Sequence, residues 1–418
     1  MKFDTIIIGG GLSGLLCGIR LLKQGQTCII ISSGQSALHF SSGSFDLLNN
    51  LPDGTDIVEP ALSLDLLSEQ SPRHPYAKLG KENFIRLAKE TEIFLKEIGV
   101  PVKGTCEKNH WRMTPMGLLK RTWLSLDGFA TTKLEEQFPW KRVAIFNIEG
   151  FLDFYPRFVA DELKKLNIES DIQLFNLPDF DHLRYNPSEL RSANIARVLD
   201  KEENIKALAN ILKEKSNGCE AIIFPACLGL YEQNTLEKLE KIVGKPIRLL
   251  PTLPPSIVGI HTQQHLQHYF TKLGGVYMLG DSIMNMELKD DKVSCVYSYN
   301  HGDVPFVGKN YVLATGSYFS QGLIATPEKV FEPLFDLDVD YLPEREEWYD
   351  HNVFKAQQYQ QFGVKTDNEF KAIRYGKTID NLYVAGAILE AFNPIKEGCG
   401  GGVSMLTALN VAENILRK

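Results

Sequence analysis

Three separated glycine groups carry the chemistry that can be read from this chain. The first is Gly9-x-Gly11-x-x-Gly14, preceded by the apolar run Thr5–Ile8 and followed by the helix-like stretch Leu12–Lys23. Strand, tight glycine turn and helix N-terminus, in that order, make a nucleotide-binding unit. Gly9 permits the turn, Gly11 lets the backbone approach a phosphate or pyrophosphate, and Gly14 lets the helix pack closely on the strand. The unpaired N–H groups of the first helical turn then face the anion. A second group lies near the end of the chain, where the apolar strands Val312–Thr315 and Asn381–Ala385 stop at Gly316 and Gly386. The third is Gly398-Cys399-Gly400-Gly401-Gly402, which opens the amphipathic stretch Met405–Leu416.

A nicotinamide dehydrogenase usually completes its Rossmann unit in one continuous stretch. A chain that opens with the fingerprint and returns to the same site after residue 310 resembles the two-dinucleotide-binding-domain flavoproteins. That group includes the flavoproteins of fumarate reductases and FAD-dependent glycerol-3-phosphate dehydrogenases. The resemblance implies an α/β fold: a discontinuous Rossmann-like flavin domain with an inserted α/β cap or substrate domain. In this class the segment after the second strand wraps the flavin with small and hydroxyl residues, a role that Ser41, Ser42, Gly43 and Ser44 fit. The competing reading of that run is an ordinary helix cap, which serine also supplies. Two departures concern the cofactor. Where an acidic residue usually ends the second strand and holds a ribose, this chain has Ser32-Ser33-Gly34; Ser32 can still hydrogen-bond a ribose. Where the class has Gly-Asp at the end of a late strand, this chain has Gly386-Ala387.

Removal of hydride from an alcohol needs a base near the hydroxyl proton, and His39, beside Phe40 and the serine run, is the candidate. A structural hydrogen-bonding role for His39 is the alternative. A phosphate ester needs Arg or Lys; Arg191, Arg197 and Lys396 are candidates, with a solvated surface role competing for the two arginines. No His/Cys/Asp cluster has metal-ligand spacing, so no metal is expected. A branched side chain at Gly11 or Gly401 is expected to block flavin binding with modest loss of fold.

The elements around these residues follow from pattern. Thr27–Ile31 reads as the second strand, Lys81–Ile98 as an amphipathic helix, and Thr105–Ser125 as a small sheet. Val143–Ile148, Ala221–Pro225 and Pro246–Thr252 read as strands, and Gly150–Leu166, Leu190–Leu199 and His261–Leu273 as helices. The run 275–297 has hairpin character. This alternation predicts a flavin domain from residues 1–80, 255–324 and 365–418. Residues 81–254 and 325–364 form the insert. The chain has 418 residues, 44% hydrophobic and 23% charged, with net charge −7. That balance gives no basic footprint for nucleic acid. The seven cysteines make no C-x-x-C pair and fit reduced, buried thiols of a cytoplasmic protein; they match no familiar iron–sulfur spacing. No stretch reaches the roughly 18 apolar residues of a membrane span, and the N-terminal apolar run has no cleavage signal.

The runs Gly34–Ser44, Leu250–Ser256, Asn194–Arg197, Gln361–Thr366 and Gly398–Gly402 narrow the resemblance. Across essentially its whole length the chain resembles the B-subunit family of anaerobic glycerol-3-phosphate dehydrogenases. That resemblance implies FMN, in line with the two missing carboxylates, with FAD as runner-up. It implies two partners: a larger, catalytic flavoprotein, and an iron–sulfur subunit that holds the complex at the inner membrane. It also implies oxidation of sn-glycerol 3-phosphate to dihydroxyacetone phosphate, with electrons passed toward quinone. Two alternatives stay open: a non-catalytic electron-relay or scaffold subunit, and a free-standing fumarate-reductase-like flavoenzyme. The aromatic run Trp111, Trp123, Phe129, Phe138 and Trp140 is either a partner-binding face or the core of a small sheet.

Overall fold

The computed structural model describes residues 1–417 except 187 and 231–233. The chain opens as β1 (Lys2–Ile8), α1 (Leu12–Lys23) and β2 (Cys28–Ser32). Thr5–Ile8 and all of β2 are buried, the unbroken apolar pattern of parallel strands covered on both faces. The two strands pair in parallel from Thr5↔Cys28 to Ile8↔Ile31.

β3 (Ser44–Phe45), α2 (Leu64–Gln70), α3 (Pro75–Leu79) and α4 (Lys81–Glu97) follow. Then come β4 (Val102–Lys103), β5 (His110–Met113), β6 (Leu119–Thr122), β7 (Leu124–Leu126) and β8 (Thr131–Thr132). These short strands form two antiparallel sheets, ordered β3-β7-β4 and β6-β5-β8. The sheet expected over 105–125 is therefore present, and one strand of it reaches back to the serine run.

A βα succession comes next: β9 (Arg142–Ile148), α5 (Pro156–Lys165), β10 (Glu169–Phe175), α6 (Ser192–Leu199), α7 (Glu202–Lys215), β11 (Ala221–Pro225), α8 (Thr235–Val243) and β12 (Ile247–Leu250). It makes a four-stranded parallel sheet, ordered β10-β9-β11-β12. α5 starts at Pro156 rather than Gly150, because proline suits the first turn and cannot continue a helix from upstream.

α9 (Ile257–Lys272) leads to β13 (Val276–Leu279), then the hairpin of β14 (Ile283–Lys289) and β15 (Lys292–Ser298), then β16 (Val307–Leu313). β13 does not join the hairpin; it pairs in parallel with β2. Short pairs follow, β17 (Ile324–Ala325) with β18 (Val330–Phe331) and β19 (Val339–Asp340) with β20 (Gly363–Val364). β21 (Lys371–Arg374), β22 (Lys377–Val384) and α10 (Gly400–Leu416) end the fold.

The main sheet is ordered β13-β2-β1-β16-β22-β21, parallel except for β21. Strands from residues 2–32 and 276–384 thus interleave in one sheet. α10 packs against α1. It begins at Gly400, five residues earlier than its apolar pattern suggests, and Val403, Met405, Leu406, Leu409, Val411 and Ala412 are all buried. A helix buried this fully shows no clean polar face, which is why its start was obscure.

Two apolar clusters form. One surrounds the main sheet; the other surrounds the four-stranded sheet. Trp123 belongs to the first, while Phe129, Phe138 and Trp140 belong to the second, none more than 9% exposed. Trp111 is half-buried, with the Arg121 guanidinium 5.8 Å from its ring. Four of the five rings are interior, so the partner-face expectation is corrected for Trp123, Phe129, Phe138 and Trp140, which fill the two cores. All seven cysteines are buried and unpaired. Among the described residues no helix is long and apolar enough to cross a membrane.

Candidate flavin site

A cavity of about 750 Å³ opens over the carboxyl ends of β1, β2 and β16 and the N-terminal ends of α1 and α10. That is where ligands sit on open α/β sheets. Gly9, Gly11, Ser32, Ser41, Ser44, Gly316, Gly400 and Gly401 line it. Residues separated by almost 400 positions therefore share one wall. Gly14, His39, Ser42, Gly43, Gly386 and Gly402 do not line it.

Local packing explains the second set. A Cβ at Gly14 would run into the Gly9 carbonyl oxygen, at Gly386 into Ser13 Oγ, and at Gly402 into the Tyr76 hydroxyl. A Cβ at Gly43 would lie 2.8 Å from Phe129 Cζ. These glycines let segments behind the cavity close together. Gly9 does so too, at φ +112°, where a Cβ would run into the backbone of Ala314, just past β16. Gly11 differs: a Cβ there would meet only Ser36 Cβ, at 3.7 Å. Its side-chain direction is cavity space, as a phosphate approach requires. Gly401 does not match it. A Cβ there would lie 3.2 Å from Asp46 N and from Phe45 Cα. Valine at 401 must move backbone, so the expected modest loss of fold is corrected for that position.

The polar groups of the wall are only partly engaged. Ser32 Oγ donates to Gly34 O at 2.9 Å. Ser41 Oγ accepts from Gly43 N at 3.3 Å, and its carbonyl accepts from Ser256 Oγ. Thr315 Oγ1, on the cavity wall, is buried with no hydrogen-bond partner among the described residues. A glycine-lined wall, two helix N-termini and an orphaned hydroxyl fit a phosphate-bearing flavin.

His39 sits in a short 3₁₀ turn, Ala37–Phe40, between cavity residues Leu38 and Ser41. Burial lowers the basicity of its ring, which is therefore neutral at pH 7. The three candidate phosphate ligands are engaged elsewhere. Arg191 pairs with Asp153 at 2.5 Å, Arg197 donates to Asn194 Oδ1 at 3.2 Å, and Lys396 donates to the Pro52 carbonyl.

The fold also gathers His74, Glu397 and Cys399, all buried. Sequence spacing could not show this, because His74 is far from the other two. The hydrogen bonds assign the cluster a structural role. His74 Nδ1 accepts from Tyr76 N at 3.0 Å, so Nε2 carries the proton and donates to Glu397 Oε2 at 3.0 Å. Glu397 Oε1 accepts from Asn393 N at 2.9 Å. No ring nitrogen is left for a metal. The cluster holds the turn that leads into Gly400 and Gly401.

Sequence reading missed Lys103, His110 and Arg112, which lie behind the serine run. The available signal was the alternation His110-x-Arg112, which places both on one face of a strand.

Taken together, a split Rossmann-like sheet with a cavity over its strand ends defines a flavin-binding oxidoreductase. The chain belongs to the FAD binding domain family, whose model matches residues 4–403, and within it to the B-subunit family of anaerobic glycerol-3-phosphate dehydrogenase. A relative from Yersinia enterocolitica, named as the B subunit of anaerobic glycerol-3-phosphate dehydrogenase, is 50% identical over 417 residues, covering 100% of this chain and 98% of the relative. One of the same name from Pectobacterium atrosepticum is 46% identical over 418 residues, covering 100% and 99%. Solved structures of similar shape include 3-ketosteroid delta1-dehydrogenase from Sterolibacterium denitrificans, 12% identical, TM-score 0.47, covering 100% of this chain and 99% of that one. FrdA of the E. coli quinol fumarate reductase is 10% identical, TM-score 0.47, covering 100% and 70%.

Proposed function

We propose that this chain is a flavin-dependent member of a multi-subunit complex that oxidises sn-glycerol 3-phosphate to dihydroxyacetone phosphate and passes electrons toward quinone. Full-length likeness to relatives of that name is the observation that carries the reading. Alcohol oxidation removes a hydride from carbon and a proton from the hydroxyl; a bound flavin supplies the hydride acceptor. Gly9, Gly11, Gly316, Gly400 and Gly401 would hold the cofactor, with Ser41 and Ser44 as short donors and Ser32 placed to meet a ribose if the cofactor carries an adenosine, and Gly14, Ser42, Gly43, Gly386 and Gly402 shape the wall from behind. His39 is the proposed base: its neutral ring can accept a proton, and both Leu38 and Ser41 beside it reach the cavity.

The missing carboxylates at Ser32 and Ala387 favour FMN. The span of the cavity, from Ser33 and Gly34 at one end to Gly400 and Ser404 at the other, favours FAD as the second reading. The proposed flavin unit is 1–80, 255–324 and 365–418, with 81–254 and 325–364 as the insert; the second apolar cluster, from Met113 to Leu250, supports the central part of that insert. Phe84 and Leu87 of α4 and Phe335 and Trp348 nevertheless pack in the first cluster.

The proposed partners are a larger flavoprotein and an iron–sulfur subunit that brings this chain to the membrane surface from the cytoplasm. Anaerobic addition of glycerol 3-phosphate to the purified, flavin-loaded chain tests the catalytic reading. Bleaching of the flavin supports it. Colour that is lost only after a companion flavoprotein is added assigns this chain the relay role instead. Co-purification from native membranes tests the partners; a lone monomer with full quinone-linked activity overturns them.

A further inference from the structure

Behind the serine run lies a group of basic side chains that make no ion pair among the described residues. Arg112 is 3% exposed. Its Nη1 donates to the Ser42 carbonyl at 3.2 Å, and its Nε has no partner. Lys103 Nζ donates to the Phe129 carbonyl at 3.0 Å. Among the described residues neither cation pairs with a carboxylate. Two carboxylates act on them from beyond ion-pair distance: Asp127 on Lys103, and Asp46 on Arg112. Asp46 is already held by Lys120 at 2.6 Å and Thr122 at 2.7 Å.

Register brings these groups to one place. Ser44 pairs with Ser125, and Ser125 pairs with Lys103, so the three side chains share a face of the β3-β7-β4 sheet. His110 Nε2 is hydrogen-bonded to Ser125 Oγ at 2.9 Å. His110 and Arg112 alternate on β5, so both side chains point to the same side. Ser44 itself lines the cofactor cavity. The cations thus stand one residue behind the wall. Burial, reinforced by Lys103 and Arg112, holds His110 down at about 4, and burial also lowers Lys103 and Arg112. Buried charge without a partner is costly, and its survival in a fold marks a place where a ligand completes the charge balance.

We propose that Lys103 and Arg112, with Ser44 and Ser125 as short donors between them, form the subsite for a phosphate monoester, the phosphate end of the substrate. The proposal rests on the alcohol-oxidation reading for the substrate's remaining atoms. The ester's phosphate would supply the missing ion-pair partner, and the proximity of Ser44 would leave its carbon end toward the cofactor cavity. The same phosphate chemistry could come instead from the flavin, whose phosphate the Gly9–Gly11 turn is otherwise built to hold.

The test uses the full-length, flavin-loaded chain. Inorganic phosphate, sn-glycerol 3-phosphate and glycerol are titrated while the flavin spectrum is followed and binding heat is measured. The wild-type protein is expected to bind the first two, in competition, and not glycerol. Arg112→Met and Lys103→Met should each weaken both by about tenfold or more with flavin content unchanged. Lys133→Met, which removes an exposed cation paired with Glu136, should leave binding as it was and controls for general charge loss. Equal phosphate affinity in wild type and both variants overturns the subsite. So does flavin lost in both while Lys133→Met keeps it, since the cations then serve the cofactor's phosphate. Phosphate binding that depends on Lys103 and Arg112, in a chain whose flavin glycerol 3-phosphate never bleaches, would uphold the subsite while the dehydrogenase reading fails.

Discussion

His74 and Glu397 meet inside the protein, Nε2 to Oε2 at 3.0 Å, although 323 residues separate them in the chain. Both side chains are sealed from solvent, at 0% and 2% exposure. The Glu397 carbonyl also accepts from Asn49 N at 2.8 Å and Asn50 N at 3.1 Å. The contact therefore ties the loop after the serine run to the turn that opens α10, and both flank the cavity. Removing the imidazole leaves a buried carboxylate without its donor. His74→Ala is expected to lose about 1–3 kcal/mol in urea unfolding at neutral pH, and to carry less flavin. An unfolding midpoint equal to the wild type would show that the pair does not hold the turn.

Gly11 and Gly401 separate cofactor binding from folding. Gly11→Val places its branches in cavity space, so the variant should keep its melting temperature in the flavin-free state while losing yellow colour. Gly401→Val presses on the backbone of Phe45 and Asp46 and should lower that melting temperature as well, an overpacking effect of about 1–3 kcal/mol. Absorbance at the flavin band and circular-dichroism melts read the two quantities. A yellow Gly11→Val protein would remove Gly11 from the site.

Why Gly11 was legible and the basic group was not is a matter of range. Strand, glycine turn and helix are consecutive, and their periodicities change within residues 5–23, so local pattern suffices. The late strands were legible because each ends an apolar run in glycine. Lys103 and Arg112 carry no such mark. Lys103 reaches the face of Ser44 only because β7 inserts between β3 and β4, and Arg112 arrives from the second sheet through the Ser42 carbonyl; no local period encodes either approach to the serine run. The start of α10 was missed for a related reason: Gly400, Gly401 and Gly402 are poor helix formers by propensity, and tight packing against Pro394, Phe45 and Tyr76 selects them. The aromatic run is neither a partner face nor the core of a small sheet of its own: Trp123 packs in the main cluster and Phe129, Phe138 and Trp140 in the second.

The depressed proton affinity of His110 has a pH signature. Burial, then the charges of Lys103 and Arg112, lower it from 6.5 to about 4. The folded protein thus binds fewer protons here than the unfolded chain between those values. The stabilisation is complete above pH 6.5 and is lost as pH falls toward 4, amounting to about 3 kcal/mol at most. His110→Gln should flatten this part of the profile. Urea midpoints for both proteins at about pH 7.5, 5.5 and 4.5 make the comparison. Parallel profiles would mean that His110 titrates as an exposed histidine.

The cofactor itself can be decided directly. The wall of the cavity reaches the end of β2, where an adenosine would lie, but the residue there is Ser32, whose hydroxyl already donates to Gly34. A ribose at that end would find only the acceptor side of this hydroxyl, with no carboxylate to hold it. An FMN phosphate at the Gly9–Gly11 turn needs neither. Acid precipitation of the native protein followed by chromatography of the supernatant should therefore yield one noncovalent flavin, FMN. Ser32→Ala gives the complementary reading: with FMN its flavin content stays at the wild-type level, and with FAD it falls. Recovery of FAD would mean that the cavity is filled along its whole length and that the missing carboxylates do not select against adenosine; recovery of nicotinamide and no flavin would overturn the site assignment altogether.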